Sequence, residues 1–280
     1  MGRGADPTLS NLTERIETSP SKDLEDRGLS KPEHSRRATP ESPPLRLIIP
    51  VYNEGANFPS LWEAIKSSIQ SEFEAIVVYD FEEDDTVPLV RGIMEAGERR
   101  LHLLRNTVGV GVVGALRTAF QYVRKGPVLV VMADLSDDLT QVDQMLELYR
   151  KGHHLVAASR YTRGGRVLGG PWLKKNLSRL AGLTLHWFRG LPTSDATNAF
   201  KLYDATLLNE IEIESRGGFE INLEVTVKAF LGGYSIVEIP TTWRDRARGK
   251  SRFRLWTWLP RYLKWYGFAF RPRRDFRQAS

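Results

Sequence analysis

The chain has 280 residues, 41% of them hydrophobic and 26% charged, so it is long enough to bury a sizeable core. It contains no cysteine, which excludes disulfide bonds, thiolate metal ligands and a thiol nucleophile. The net charge of +6 is uneven: residues 243–280 hold twelve Lys and Arg against two Asp and Glu, which favours an anionic partner.

Residues 1–44 are rich in Ser, Pro and charged residues and poor in large apolar ones. Such a segment cannot bury enough surface to offset its ordering entropy, so we predict a disordered N-terminal tail. No stretch approaches the roughly 18 apolar residues of a membrane span, and the N-terminus lacks the apolar core of a signal peptide. We therefore expect a cytoplasmic protein, at most peripheral to the cytoplasmic face of a membrane.

Order is predicted to begin at Leu45, where short apolar runs start to alternate with helical patterns. The predicted strands are 45–50, 75–80, 101–104, 128–133 and 155–158, and the predicted helices are 57–70, 86–98, 111–125 and 139–151. The less regular second half adds helices at 172–188 and 219–230 and strands at 199–203 and 235–240. This order predicts one α/β domain over 45–242, with a mostly parallel central sheet and helices on both faces.

Acidic residues follow two of the predicted strands, at the edge of the sheet where ligands bind. Asp134, Asp137 and Asp138 come after 128–133, and clustering these charges is unfavourable unless a cation neutralises them. The five histidines show no metal-binding spacing, so the sequence predicts Mg²⁺ or Mn²⁺ on Asp134 and Asp137. The alternative is that one of these residues caps the following helix. Asp80, at the end of 75–80, is suited to accept hydrogen bonds from a base or ribose.

A second motif supports a different function. Residues 109–114 spell GVGVVG, a literal GxGxxG that follows a predicted strand and opens a predicted helix. Asp134 lies twenty positions further on, which is the layout of an NAD(P)-dependent oxidoreductase. Two strands precede the motif, however, and the segment Arg105-Asn106-Thr107 lies between it and its own strand. The oxidoreductase therefore remains as the alternative function.

Several segments together match the motifs of a known family, in the same order. They are 50–54 (PVYNE), 79–86 (YDFEEDDT), 159–165 (SRYTRGG), Lys175 with Ser178, 195–201 (DATNAFK), Glu238 with Pro240, and 246–252 (RARGKSR). Over about residues 45–270 the chain thus resembles the family-2 glycosyltransferases, and within them the dolichol-phosphate mannose synthase branch. The resemblance implies a GT-A fold and an inverting transfer of a sugar from GDP-mannose or a UDP-sugar. The favoured acceptor is a polyprenyl or dolichyl phosphate, and a glycan is the other option.

The resemblance also implies roles for particular residues. The donor nucleotide is expected to contact Pro50, Tyr52, Glu54, Asp80 and Asp84. The catalytic group is expected to comprise Asp134, Arg160 and Asp195. Phosphate and acceptor contacts are expected from Lys175, Ser178, Arg246, Ser251 and Arg252, since guanidinium groups bind phosphate oxygens in pairs.

One departure from the family pattern affects the metal. The family has D-x-D where this chain has Met132-Ala133-Asp134, so the first aspartate is missing and Asp137 is the candidate replacement. A non-catalytic relative is therefore a further alternative. A phosphate acceptor needs no strong general base, whereas a hydroxyl acceptor would need one, for which Asp195 and Glu220 are the options.

The C-terminal segment 243–280 is both aromatic and basic. Aromatic side chains with interleaved cations suit the headgroup layer of a membrane, so this segment is predicted to form a membrane-surface helix. The alternative is a helix that covers the catalytic domain with its aromatic side chains in the core. No nucleic-acid-binding module is visible, and no nucleic-acid partner is expected.

Overall fold

Nine strands occur in the computed structural model, which describes residues 43–245 and 255–273. They are β1 (Leu45–Pro50), β2 (Phe73–Tyr79), β3 (Leu101–Arg105), β4 (Pro127–Val130), β5 (Leu155–Ser159), β6 (Arg166–Leu168), β7 (Lys201–Asp204), β8 (Ile236–Pro240) and β9 (Thr242–Arg244). Apart from Pro43 and Pro44, the predicted disordered tail lies outside the described residues. So do three predicted phosphate or acceptor ligands, Arg246, Ser251 and Arg252.

Seven of these strands form one sheet in the order β3-β2-β1-β4-β7-β5-β8. β1 pairs in parallel with β2 and β4, and β5 pairs in parallel with β8. β7 is the exception, because it runs antiparallel to both β4 and β5. β6 and β9 form a separate parallel pair. The predicted mostly parallel sheet is confirmed, although the insertion of β7 between β4 and β5 was not predicted.

The helices alternate with the strands along the chain. They are α1 (Phe58–Ser68), α2 (Thr86–Glu95), α3 (Val112–Tyr122), α4 (Val142–Arg150), α5 (Trp172–Arg189), α6 (Ala205–Glu210), α7 (Glu220–Leu231) and α8 (Leu255–Phe268), with a short 3-10 helix at Leu139–Gln141. Among the described residues, no helix combines the length and apolarity needed to cross a bilayer.

The core has two layers, one on each face of the sheet. Leu47 and Ile49 of β1 pack with the buried faces of α1, α2 and α4, whereas Ile48 between them packs with α3, α6 and α7. Successive side chains of a strand point to opposite faces, so a strand buried on both sides is apolar throughout, as LRLIIP nearly is. This arrangement leaves the ends of the strands as the place where polar groups can gather.

The described part of the C-terminal segment contributes to the second layer. Trp265 of α8 is 1% exposed, and its indole N–H donates to the Ser215 hydroxyl at 3.1 Å. Arg189, at the end of α5, donates to the Ala269 carbonyl at 2.8 Å. One side of α8 therefore covers the catalytic domain, as the alternative interpretation of this segment proposed.

Candidate active site

A cavity of about 1190 Å³ opens at the carboxyl ends of β1 and β4. The strand order reverses there, since β2 and β3 lie on one side of β1 and β4 on the other, and ligands of such sheets bind at that point. The predicted site residues that line it are Pro50, Tyr52, Glu54, Asp80, Asp134, Asp137, Arg160, Lys175 and Ser178. The fold therefore gathers into one cavity residues that are far apart in sequence.

The segment after β4, residues 131–138, forms a tight acidic turn that we call the carboxylate turn. Val131 makes one last sheet bond to the Ile48 carbonyl at 2.9 Å, and the predicted strand 128–133 therefore ends early. Asp134 is 8% exposed and accepts hydrogen bonds from the backbone N–H and the hydroxyl of Ser136. Leu135 between them has φ 61°, a costly conformation for a branched side chain. Such strain is typical of sites where function fixes the backbone.

Asp137 folds back over the same turn. One of its carboxylate oxygens accepts from the backbone N–H of Met132, with 3.4 Å between nitrogen and oxygen, and Met132 occupies the position of the missing aspartate. Burial, reinforced by the negative charge of Asp134, raises the pKa of Asp137 to about 7. Asp138, in contrast, accepts from the Thr140 N–H at 3.2 Å, and this confirms that one of the three aspartates is a helix cap.

The carboxylate turn fits a divalent cation. A positive ion would relieve the repulsion between Asp134 and Asp137, both of which line the cavity. No group of three or more acidic or histidine ligands gathers within the described part of the chain. Mg²⁺ is commonly held by one or two carboxylates plus substrate phosphates, so a diphosphate and water would complete this ligand set.

The donor side of the cavity is formed by the loop after β1 and the end of β2. Tyr52 is 40% exposed and meets Phe81 edge to face, with ring centroids 5.3 Å apart. Glu54 accepts from the Asn57 amide at 2.7 Å. Asp80 accepts from the Asn106 amide at 2.6 Å and from the Gly111 N–H at 2.8 Å, so its carboxylate joins this loop to the start of α3.

Asp84 does not lie where the family motif led us to expect it. It is fully buried and absent from the cavity wall. One oxygen accepts from the Asn53 N–H at 2.9 Å and the other from the Thr86 N–H at 2.8 Å. The predicted contact of Asp84 with the nucleotide therefore has no support in this geometry and stays a prediction. Asp84 instead fixes the loop that carries Tyr52, where Asn53 adopts a left-handed conformation.

The GxGxxG segment serves close packing and does not form an open phosphate cradle. The N–H of Gly111, at the start of α3, already donates to Asp80. A side chain on Gly114 would begin 1.5 Å from the Gly109 carbonyl oxygen, because the loop crosses directly over the helix. The strand before the motif, β3, is also at the edge of the sheet. The dinucleotide interpretation has no support in this geometry.

Replacing Gly114 with alanine should therefore destabilise the protein by about 3 kcal/mol or more, since backbone must move to admit the methyl group. Gly92→Ala, on the exposed face of α2 where nothing lies within 4 Å, is the matched control and should change stability by less than about 1 kcal/mol. Chemical denaturation of both variants measures the difference. Equal stability of the two would show that the loop does not need this close approach.

Arg160 forms a buried ion pair with Asp195, and its positive charge also acts on Asp137 of the carboxylate turn. Its Nε lies 2.6 Å and its Nη2 2.8 Å from the two carboxylate oxygens, and its backbone N–H adds a third bond at 3.0 Å. Burial alone would lower the pKa of Arg160, but the charge of Asp195 outweighs it and the pKa is raised. Arg160 lines the cavity whereas Asp195 does not, so Asp195 lies behind the arginine and holds it in place.

Lys175 and Ser178 of α5 lie beside Arg160. The Ser178 hydroxyl is 3.3 Å from Nη2 of Arg160 and 2.5 Å from the Thr197 hydroxyl. The Lys175 carbonyl accepts from the Tyr161 hydroxyl, and Lys175 also lines the cavity. The lining of the cavity thus includes two acidic residues, Asp134 and Asp137, and two basic residues, Arg160 and Lys175.

Glu220, one option for a general base, faces a different surface. Its carboxylate accepts from the N–H groups of Gly217 and Gly218 at 2.9 and 2.7 Å, and it does not line the cavity. A glutamate in the first turn of a helix often accepts bonds from nearby backbone N–H groups, so this role was visible in the sequence. Glu238 of the E-x-P motif accepts from the Ser194 N–H at 2.7 Å and so supports the loop before Asp195.

Sequence analysis missed two residues of this region. Lys201 is fully buried and donates to the carbonyls of Ala196 and Asn198, which anchors the loop that carries Asp195. Burial lowers its pKa to about 7. Its place at the end of the DATNAFK motif was a usable signal. Trp243 of β9 lines the cavity, and no motif pointed to it.

Comparison with known proteins agrees with this geometry. The family described as "Glycosyl transferase family 2" matches residues 47–212. A polyprenol monophosphomannose synthase of Mycolicibacterium smegmatis is 29% identical over 74% of this chain and 79% of its own length. An undecaprenyl-phosphate mannosyltransferase of Micrococcus luteus is 32% identical over 73% and 85%, respectively. A dolichol-phosphate mannosyltransferase of Pyrococcus furiosus is 29% identical over 80% of this chain, which spans 64% of that protein.

Solved structures bear on the fold. Glucosyl-3-phosphoglycerate synthase from Mycobacterium tuberculosis, in complex with Mn²⁺, UDP and glucosyl-3-phosphoglycerate, superposes with a TM-score of 0.60. The identity is 16%, and the match covers 81% of this chain and 79% of that one. The predicted GT-A type of α/β fold is confirmed. The chain belongs to glycosyl transferase family 2 and is a glycosyltransferase, as its motifs predicted.

Proposed function

We propose that this protein transfers a hexose from a nucleotide-diphosphate sugar to a polyprenyl phosphate, with inversion at the anomeric carbon and with Mg²⁺ or Mn²⁺ as cofactor. The observation that carries the proposal is one cavity lined by both acidic and basic residues. Two anionic substrates that must meet can be held there, one through a cation on the acidic residues and the other by the basic residues. The names of the relatives support a polyprenyl phosphate as the acceptor and mannose as the sugar.

Asp134 and Asp137 would hold the metal together with the donor diphosphate. The bound ion would neutralise charge on the departing nucleoside diphosphate. Asp80 and Tyr52 lie where the nucleoside would extend from that diphosphate, beyond the ends of β1 and β2. Asp84 acts in this proposal only through the loop that it fixes.

Arg160 and Lys175 would bind the acceptor phosphate. Asp195 occupies Nε and one edge of Nη2, which leaves Nη1 of Arg160 for a ligand. A phosphate oxygen then attacks the anomeric carbon as the bond to the diphosphate breaks on the opposite face. The attacking oxygen is already ionised and needs no base, which agrees with Asp195 and Glu220 both being engaged by other groups. Asp195 is therefore proposed as a positioning residue and not as the base.

The far end of the cavity suits an isoprenoid chain. It is lined by apolar side chains of two helices, namely Leu177, Leu180 and Ala181 of α5 and Leu259 and Leu263 of α8. Outside it, α5 and α8 expose large apolar side chains, including Trp172 at 72%, Trp187 at 67% and Phe188 at 73%. Arg189 is the last residue of α5, and Arg271 and Arg273 follow the end of α8. We propose that this face rests on an anionic membrane, which would make the protein peripheral.

Transfer can be tested directly. Purified protein is incubated with Mn²⁺, polyprenyl phosphate in vesicles, and radiolabelled GDP-mannose or UDP-glucose. We expect label in the lipid phase, and more of it with anionic than with neutral vesicles. Lys175→Ala should raise the KM for polyprenyl phosphate about tenfold and leave the KM for the donor unchanged, whereas Lys151→Ala on the exposed end of α4 should change neither. Transfer to water-soluble acceptors alone would contradict the proposed acceptor.

A further inference from the structure

The β6–β9 pair, which we call the flap, contributes residues to the wall of the cavity. Val167 and Trp243 are paired residues in its register, and both line the cavity. Leu168, the next residue of β6, is 45% exposed and faces away. Asp245, directly after β9, also reaches the cavity wall. The flap therefore presents an aromatic ring and a carboxylate to the same space.

Two glycines allow the flap to pack closely against the turn that follows β6. Gly169 and Gly170 both have positive φ, at 84° and 80°, and form the turn between β6 and α5. A methyl group on Gly170 would lie 3.3 Å from the Trp243 ring, and one on Gly169 would lie 3.0 Å from Cβ of Asp245. The turn therefore packs directly against both residues. With no side chains of its own, it fixes them without filling the space in front of them.

The flap is also tied to the carboxylate turn. The Arg244 N–H, between Trp243 and Asp245, donates to the Ser136 carbonyl at 3.0 Å. Ser136 itself bonds to Asp134. Trp243 and Asp245 are thus held next to the place proposed for the donor diphosphate, where the sugar attached to that diphosphate must lie.

We propose that Trp243 and Asp245 form the hexose subsite of this transferase, with the indole ring covering an apolar C–H face of the sugar and the carboxylate accepting hydrogen bonds from its hydroxyl groups. This inference rests on the proposed function, because it assumes a nucleotide-sugar donor. An aromatic plane gives affinity with little selectivity, whereas an acceptor-only carboxylate selects by the positions of the hydroxyls. Asp245 would then decide which hexose is accepted.

The test compares nucleotide with nucleotide-sugar. Calorimetry measures the binding of GDP, GDP-mannose, UDP and UDP-glucose, each with Mn²⁺, to the full chain. Trp243→Leu should weaken the better nucleotide-sugar about tenfold and change the affinity for its free nucleotide by less than twofold. Trp243→Phe should keep most of the wild-type affinity for the nucleotide-sugar, because it retains an aromatic ring. Leu168→Ala, on the outer side of the same flap, is the matched control and should leave all four affinities unchanged.

Selectivity is the second readout. The wild-type protein should prefer its own hexose over an epimer or deoxy analogue on the same nucleotide by about a hundredfold, and Asp245→Asn should reduce that preference to less than tenfold. Parallel losses for nucleotide and nucleotide-sugar, or an effect confined to the KM of the acceptor, would overturn the subsite. If the wild-type protein binds neither nucleotide, the proposed function fails and the subsite falls with it.

Discussion

Removing the carboxylate of Asp195 should lower the free energy of unfolding by about 3 to 5 kcal/mol, because it leaves the buried Arg160 without its counter-charge. Transfer should slow about a hundredfold or more, since the guanidinium loses the bonds that orient it toward the cavity. Denaturant unfolding and initial rates of Asp195→Ala measure the two effects. Glu63→Ala, which breaks the exposed pair with Lys66, should cost less than about 1 kcal/mol.

A double variant separates stability from function. Arg160→Met in the Asp195→Ala background removes the unpaired charge, so much of the lost stability should return. Activity should stay lost, because the group that faces the acceptor is then absent. Recovery of activity together with stability would mean that the pair is only structural and that Arg160 touches no substrate.

Changing Asp137 to asparagine should stabilise the metal-free protein at pH above 7 by about 2 kcal/mol, after allowance for water near its partly exposed side chain. The pKa of Asp137 is about 7 in the folded chain and 3.8 ordinarily, so between these values the folded state keeps a proton that the unfolded state has released. Wild-type stability must therefore fall as pH rises through that window. Below pH 3.8 the variant and the wild type should converge.

The same variant reports on the cation. Millimolar Mn²⁺ should raise the unfolding temperature of the wild-type protein at pH 7.5 and have much less effect on Asp137→Asn. Asp138→Asn is the matched control, because asparagine can also cap the short helix and the residue holds no place in the cavity. If the stability of Asp137→Asn depended on pH in the same way as that of the wild-type protein, the carboxyl group of Asp137 would not be the one with the raised pKa.

The local pattern of apolar and polar residues was sufficient to predict most of the strands and helices. The run LRLIIP gave β1 with its bounds, and the acidic residues after β2 and β4 located the edge of the sheet where the cavity lies. The position of β7 could not be foreseen, because its partners lie far along the chain and strand pairing at that range leaves no periodic signal. The two small elements of the flap, of three residues each, are too short to show any period.

The sequence predicted which residues belong to the site better than it predicted what each side chain contacts. Asp84 and Asp195 occur in the right motifs, yet both face backbone N–H groups or an arginine and not the cavity. The presence of an aspartate in a motif does not show whether its carboxylate contacts the ligand directly or holds a loop that contacts the ligand. Trp243 lies in none of the motifs. Its position depends on a turn of two glycines more than seventy residues earlier, so no local pattern could place it in the site.

The place of β7 in the sheet has a consequence for synthesis on the ribosome. β5 leaves the exit tunnel before β7 and β8, which are its only neighbours in the described sheet. Until both have emerged, β5 is an apolar segment with two open edges, and such edges invite pairing with other chains. The first four strands can assemble early, whereas the sheet is complete only after β7 and β8 have both emerged. Nascent chains that stall before this point should therefore be the ones that recruit chaperones.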